Sequence, residues 1–202
     1  GIAGGDGMQI QIDHRNPNII FTGSQFGYYS RLDIANDERT FIKPSHKLGK
    51  APYRFNWESP ILLSTHNQDI LYFGTNKFMR SMDQGATWEA ISPDLTAGGK
   101  KGNVPYGTLT TITESQFQFG LLYAGSDDGM VHLSKNGGST WVKIVQNISL
   151  TGLNSDQKLW IAQVLASTHK KEQVSVVLRR YLYDDFTTSI FNIEYYGKNL
   201  KT

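Results

Sequence analysis

Short apolar runs separated by turn residues recur along this chain at a nearly constant interval. Met8-Gln9-Ile10-Gln11-Ile12, Pro60-Ile61-Leu62-Leu63 and Leu109-Thr110-Thr111-Ile112 read as strands. Turn residues and a second apolar run follow each of them, in Asn16-Pro17-Asn18-Ile19-Ile20, Asn67-Gln68-Asp69-Ile70-Leu71 and Gln118-Phe119-Gly120-Leu121-Leu122. These runs end in Phe21-Thr22-Gly23, Tyr72-Phe73-Gly74 and Tyr123-Ala124-Gly125, whose glycines stand 51 residues apart at 23, 74 and 125. That interval matches one four-stranded propeller blade. A blurred fourth unit runs through Ile161-Ala162-Gln163-Val164-Leu165, Val174-Ser175-Val176-Val177-Leu178 and Ser189-Ile190-Phe191-Asn192-Ile193. The pattern therefore predicts four all-β units, near residues 1–45, 46–96, 97–145 and 146–202.

Within two units the third and fourth strands are joined by one shared motif, S-x-[DN]-x-G-x-T-W. It comprises Ser81, Asp83, Gly85, Thr87 and Trp88 in one copy and Ser134, Asn136, Gly138, Thr140 and Trp141 in the other, 53 residues on (81 to 134). Phe78-Met79-Arg80 and Glu89-Ala90-Ile91 flank the first copy, and Met130-Val131-His132-Leu133 and Val142-Lys143-Ile144 the second. Each motif is expected to be a hairpin turn. Asp83 or Asn136 would accept backbone N–H bonds across it, the glycine would take a positive φ, and the tryptophan would bury its ring between sheets. In the fourth unit only the glycine survives, in Ile193-Glu194-Tyr195-Tyr196-Gly197-Lys198-Asn199-Leu200.

These boxes resemble the Asp-box, or BNR, repeat of sialidases and sortilin-type receptors. Trp57-Glu58-Ser59-Pro60-Ile61-Leu62-Leu63-Ser64, Leu71-Tyr72-Phe73-Gly74, Ile91-Ser92-Pro93-Asp94-Leu95-Thr96 and Tyr123-Ala124-Gly125-Ser126-Asp127-Asp128-Gly129 resemble bacterial sortilin-like proteins often described as glycosyl hydrolases with BNR repeats. The resemblance spans nearly the whole chain. It implies a β-propeller, secreted or periplasmic, with the boxes on the periphery away from any ligand pocket. Four blades lie at the bottom of the propeller range, so further blades of a longer protein are expected as partners. The start at Gly1-Ile2-Ala3, without methionine or signal peptide, reads as a fragment or a processed piece.

Composition narrows the function. The chain has 202 residues, 39% of them hydrophobic and 19% charged, with a net charge of +2 and no cysteine. Thiol chemistry and disulfides are excluded. No apolar run approaches the roughly 20 residues of a membrane span. Basic residues are dispersed, which argues against nucleic acid, and Lys100-Lys101 reads as a solvated loop. The five histidines are too scattered for zinc, so neither metal nor cofactor is expected.

Candidate chemistry falls in the connections 43–55, 97–106 and 146–158 and in the hairpins after each glycine-ended strand, which should share one face. Among the carboxylates there, Asp6, Glu58, Asp127, Asp128, Asp184 and Asp185, a pair about 5–10 Å apart would suit a glycoside hydrolase, with Asp6, Glu58 or Asp128 as acid and base. Acids beside glycine, as in Gly4-Gly5-Asp6-Gly7 and Asp127-Asp128-Gly129, are equally what tight turns need, and that reading is favoured. The Arg-Ile-Pro segment of sialidases is absent; Tyr53-Arg54-Phe55-Asn56 comes nearest. Phe26, Tyr28, Tyr53, Phe55, Trp57, Tyr106, Trp160 and Tyr181 collect in the same regions, beside Gln25, Arg54 and Asn56. They would suit a sugar or peptide, with packing between blades as the competing role. The leading expectation is a non-catalytic binding or scaffold module for a protein, peptide or glycan, with Gln25, Arg54, Asn56, Trp57, Tyr106 and Asp127 as contacts; a propeller-type glycoside hydrolase is the alternative.

Overall fold

The structure, a computed structural model, describes residues 4–102, 104–144, 159–179, 188–196 and 199–201. Arg180, Tyr181, Asp184, Asp185 and the whole 146–158 connection lie outside these residues. Four antiparallel four-stranded sheets follow one another along the chain, each a simple meander. The first holds β1 (Ile10–Ile12), β2 (Ile19–Ser24), β3 (Tyr28–Asp33) and β4 (Glu38–Phe41). The second holds β5 (Ile61–Leu63), β6 (Leu71–Gly74), β7 (Phe78–Ser81) and β8 (Glu89–Ala90). The third holds β9 (Leu109–Glu114), β10 (Leu122–Ser126), β11 (Val131–Ser134) and β12 (Val142–Lys143). The fourth holds β13 (Trp160–Ala166), β14 (Gln173–Arg179), β15 (Thr188–Tyr196) and β16 (Asn199–Lys201). First strands neighbour first strands, β1 beside β5, β5 beside β9 and β9 beside β13, so they form the inner wall. The fold is an all-β propeller of about four blades.

Strand alternation builds the seams between blades. Phe21, Tyr72 and Tyr123 occupy equivalent positions in β2, β6 and β10, and each enters the apolar cluster shared with the following blade. One residue on, Phe73 and Ala124 point back into the preceding seam. Inner strands are pinned by side chains that stand in for a backbone ladder. Gln9 and Gln11 carbonyl oxygens accept from the N–H of Ile61 (3.2 Å) and Leu63 (3.1 Å). Thr110 donates to the Ile161 carbonyl (2.5 Å), and the Thr111 hydroxyl accepts from Val164 N–H (3.1 Å).

Both boxes are turns between third and fourth strands, as the sequence predicts. Ser81 Oγ accepts from Gly85 N–H (2.7 Å), and Asp83 accepts from Thr87 N–H (2.8 Å) and its hydroxyl (2.6 Å). Burial opposes ionisation of Asp83, but bonds from Ser81 and Thr87 outweigh it and hold the carboxyl below its ordinary value. Asn136 reproduces the turn with one bond reversed. Its oxygen accepts from Thr140 N–H (2.9 Å), while its amide donates to the Thr140 hydroxyl (2.9 Å). In the fourth blade Tyr196 pairs directly with Asn199, without an eight-residue box between β15 and β16.

The two boxes also clamp the second blade onto the first and the third onto the second. Gly85 and Gly138 sit at φ of 92° and 93°, and an added Cβ would fall 2.9 Å from Ile42 and 2.7 Å from Ile91. Trp88 Nε1 donates to the Ile42 carbonyl (2.8 Å) and Trp141 Nε1 to that of Ile91 (2.9 Å). Their rings lie against Phe73 (5.8 Å, edge-on) and Phe78 (5.2 Å, tilted). Both tryptophans pack against the apolar clusters between blades and are half-buried, because their indole N–H must reach a carbonyl at the rim.

Two outcomes are expected. Trp88→Ala should lower stability by about 3 kcal/mol and Trp88→Phe by about 1 kcal/mol, separating the ring from its hydrogen bond in denaturant melts; a loss below about 1 kcal/mol for the alanine variant would show that the rim does not carry the seam. His132 on β11 has a buried Nδ1 without a partner among the described residues, and its pKa is pushed down to about 4 by burial first and by Lys143 second. Unfolding lets this imidazole protonate near its ordinary value of 6.5, so the native state loses stability as pH falls from 6.5 towards 4. The stability difference between the parent and His132→Leu should therefore shift against the parent across that window, by at most about 1.4 kcal/mol per pH unit, in melts at stepped pH.

Candidate functional site

The meander sends the boxes and the first-to-second strand turns to one end of the blades. The second-to-third strand turns and the interblade connections emerge at the other. There, between the first two blades, lies a groove of about 490 Å³ lined by Phe26, Tyr28, Tyr53, Phe55 and Tyr106 together with Lys43, Arg54 and Lys100. Gly102, Val104 and Pro105 close its far side. Among the described residues no carboxylate and no side-chain amide lines it.

Local chemistry fixes each wall. The β2–β3 turn is a short 3-10 element, Gln25–Gly27, in which Phe26 takes φ 56° and ψ 35°. A bulky residue in the left-handed region costs about 1–2 kcal/mol. It is held by its N–H bond to the Trp57 carbonyl (3.0 Å) and by edge-on contact between the rings (5.1 Å). Ile42, gripped by Trp88, delivers the next residue, Lys43, to the groove. Its ammonium lies 3.8 Å over the Tyr28 ring and 4.3 Å over Phe55. Lys100 sits 3.8 Å over Tyr106 in the same manner. Burial holds the Lys43 pKa below its ordinary value.

Arg54 is a positioned cation. It donates to the Gly107 carbonyl (2.9 Å), Asp94 (2.6 Å) and Thr96 (2.9 Å), and its own N–H is held by Asn76 (3.1 Å). Burial disfavours the Asp94 carboxylate, but bonds from Thr96, Arg54 and Asn76 hold its pKa below the ordinary value. Tyr53 and Arg54 also border a second hollow of about 460 Å³ that contains His46, Lys47, Lys50 and Lys77. Asp94 is its only carboxylate among the described residues.

The expected contact residues divide in two. Arg54 and Tyr106 line the groove, and Trp57, 49% exposed, flanks it through Phe26. Gln25 is partly buried and bonded to Asp6. Asn56 and Asp127 are instead internal, 4% and 2% exposed. Asn56 donates to the Thr108 hydroxyl (2.8 Å), which donates to Asp127 (2.6 Å). Asp127 also accepts from Gly107 and Thr108 N–H (both 3.0 Å), so its oxygens are spent on holding the connection. Its pKa is raised, by burial first, against the lowering effect of the Thr108 bonds. Asp128, 2% exposed, accepts from Ser126 (2.5 Å) and Ala97 N–H (2.6 Å). The turn role accounts for both acids. Asp6 and Glu58 are exposed, against Gln25 and Gln9. Among the described residues no cluster of three metal-ligating side chains occurs, and no helix is long and apolar enough to cross a membrane.

Sequence reasoning missed Lys43, Lys47, Lys50 and Lys77, and read Lys100 as merely solvated. Dispersed in the chain, they converge because successive connections surface at one end. Interleaving of Lys43, Tyr53-Arg54-Phe55 and Lys100 with Tyr106 is the signal that could have found them.

No family model matches the chain, and no curated protein matches it in sequence. Solved structures do resemble it. An ancestral GH74 enzyme aligns with a TM-score of 0.65 at 13% identity, over 94% of this chain and 23% of that one. YCF48 from Cyanidioschyzon merolae gives 0.52 at 13%, over 96% and 53%. An auxiliary nutrient binding protein from Bacteroides thetaiotaomicron gives 0.54 at 13%, over 97% and 40%. The chain thus spans between about a quarter and a half of these proteins, and at such identity the likeness establishes the propeller fold alone.

If Asp127 is a loop-holding group, Asp127→Ala should cost about 3 kcal/mol by orphaning two N–H groups and a hydroxyl, and Asp127→Asn distinctly less. Urea melts of the two variants decide it; an unchanged midpoint for the alanine variant would make Asp127 a ligand contact again.

Proposed function

We propose that the chain is a non-catalytic binding or scaffold module that presents the loop face between its first two blades to a protein, peptide or glycan. The observation that carries this is the groove itself, five aromatic residues and three cations without a carboxylate among the described residues. A glycoside hydrolase needs two carboxylates about one glycosidic bond. Asp128 is buried and bonded, which leaves Asp6 and Glu58, neither of which lines the groove. YCF48, whose fold is shared, has been solved bound to a D1 peptide, and the Bacteroides protein is described as nutrient-binding; both descriptions agree with a propeller used for binding.

The same reading includes further blades as partners. Ile10 and Ile12 of β1 are 53% and 45% exposed, whereas their counterparts Ile61 and Leu63 are 2% and 5% exposed beneath the first blade. A preceding blade would cover the first blade's outer face as that blade covers the second.

Arrays of glycans and peptides, run beside a turnover screen on aryl glycosides and oligosaccharides, test the proposal. Binding without turnover, weakened in Tyr53→Ala and Trp57→Ala, is the expected result. Turnover by the parent that collapses in Glu58→Gln or Asp6→Asn would overturn it.

A further inference from the structure

Resting on that reading, we infer that the groove between the first two blades is built for an acidic peptide segment, carboxylates towards Lys43 and Lys100 and an apolar side chain between the rings. Charge and the ring faces already taken by lysines point to that class of ligand. Lys43 is half-buried and makes no ion pair with any described residue, and the same holds for the ion pairing of Lys100. A desolvated cation without a counter-ion favours an incoming anion, since the cost of removing it from water has already been met in the free protein. The adjoining hollow adds Lys47, Lys50 and Lys77 on the same face, and its one described carboxylate, Asp94, is held by Arg54. The field over both hollows is therefore positive, although the net charge is only +2.

Aromatic residues select among anions. Lys43 covers one face of Tyr28 and of Phe55, and Lys100 one face of Tyr106. Flat stacking by a pyranose or a nucleobase needs open ring faces. Sugar hydroxyls also need acceptors, and the described groove lining lacks the carboxylate and amide side chains that usually supply them. What the lining offers is rings of which three already carry a cation on one face, the apolar surface of Val104 and Pro105, the Arg54 guanidinium and two ammonium groups. That combination suits a peptide carrying acidic residues around an aliphatic or aromatic one. Phe26, held in a left-handed conformation at the rim, is the kind of strained residue that accumulates at binding sites.

Fluorescence anisotropy with two labelled peptides tests the inference: one with Asp-Glu pairs flanking Tyr-Leu, the other its Asn-Gln analogue. The acidic peptide should bind roughly tenfold tighter, a difference that shrinks with added salt. Lys43→Gln and Lys100→Gln should each weaken it by about three- to tenfold, and Lys135→Gln at the box end should leave it unchanged. All variants are first checked for parental melting midpoints. Equal binding of both peptides, lost in Tyr106→Ala and insensitive to the lysine variants, overturns the acidic class while leaving a binding face in place. Tighter lysine-dependent binding of an oligothymidylate or of polygalacturonate overturns the peptide class. Failure of every probe to bind the folded parent overturns this inference, and blank glycan and peptide arrays besides would overturn the broader binding reading.

Discussion

The contact on which the rest of the structure depends is the grip of each box on the isoleucine of the preceding blade. A propeller blade is a sheet with two apolar faces, and neither is stable until a neighbour covers it. The seam must therefore be fixed in register as well as buried. Apolar packing alone sets register loosely, but a directional bond sets it well. The indoles of Trp88 and Trp141 supply that bond, each to one particular carbonyl, at Ile42 and Ile91. The glycine three residues earlier lets the isoleucine side chain come against bare backbone, where a Cβ would collide with it. At the inner end Gln9, Gln11, Thr110 and Thr111 do the corresponding work between first strands. The first seam is thus fixed at rim and axis, the second at the rim by Trp141, and the third at the inner strands by Thr110 and Thr111.

From that grip the loop face inherits its precision. Ile42 and Ile91 come directly after the outer strands β4 and β8, where the chain turns into the next connection, so clamping them aims that connection. Lys43 is the neighbour of Ile42, and Ser92-Pro93-Asp94 continues from Ile91. Asp94 in turn holds Arg54, and Arg54 reaches the Gly107 carbonyl in the next connection. The buried relay from Asn56 through Thr108 to Asp127 ties the interblade connections together below the surface. The groove is consequently framed by hydrogen bonds that cross blades, although the residues lining it come mainly from turns and connections.

How much of this was legible in the sequence depends on the range over which each feature is encoded. Boxes are local: spacing, glycine and acceptor lie within eight residues, so both turns and their partners could be read directly. The alternation that places Phe21, Tyr72 and Tyr123 in successive seams is also local, given the 51-residue interval. The site is not. Asn56 and Asp127 look like polar loop residues ready for a ligand, and only the fold shows that they face each other across Thr108. Lys43 and Lys100 stand 57 positions apart (43 to 100), and only their interleaving with Tyr53-Arg54-Phe55 and Tyr106 hints that they line one groove. The half-burial of Trp88 was hidden for a similar reason, because its partner carbonyl lies at the rim of another blade.

Net charge says little about the sign of one face, for the same physical reason. A sum over the chain weights every residue equally, whereas a ligand feels charges within about one Debye length, roughly 8–10 Å at ordinary ionic strength. Apart from Asp6 and Glu58, which are exposed beside Gln25 and Gln9, the acids nearest that face are engaged within the fold. Asp127 and Asp128 are buried beneath the loops, Asp83 is inside a box, and Asp13 and Asp69 are bonded by Arg15. Among the described residues Asp94 alone borders the second hollow, and its charge is offset by Arg54. The lysines, in contrast, sit on connections that all surface at one end. Acids that hold the fold together are withdrawn from the face, and the bases that remain on it give that face its sign.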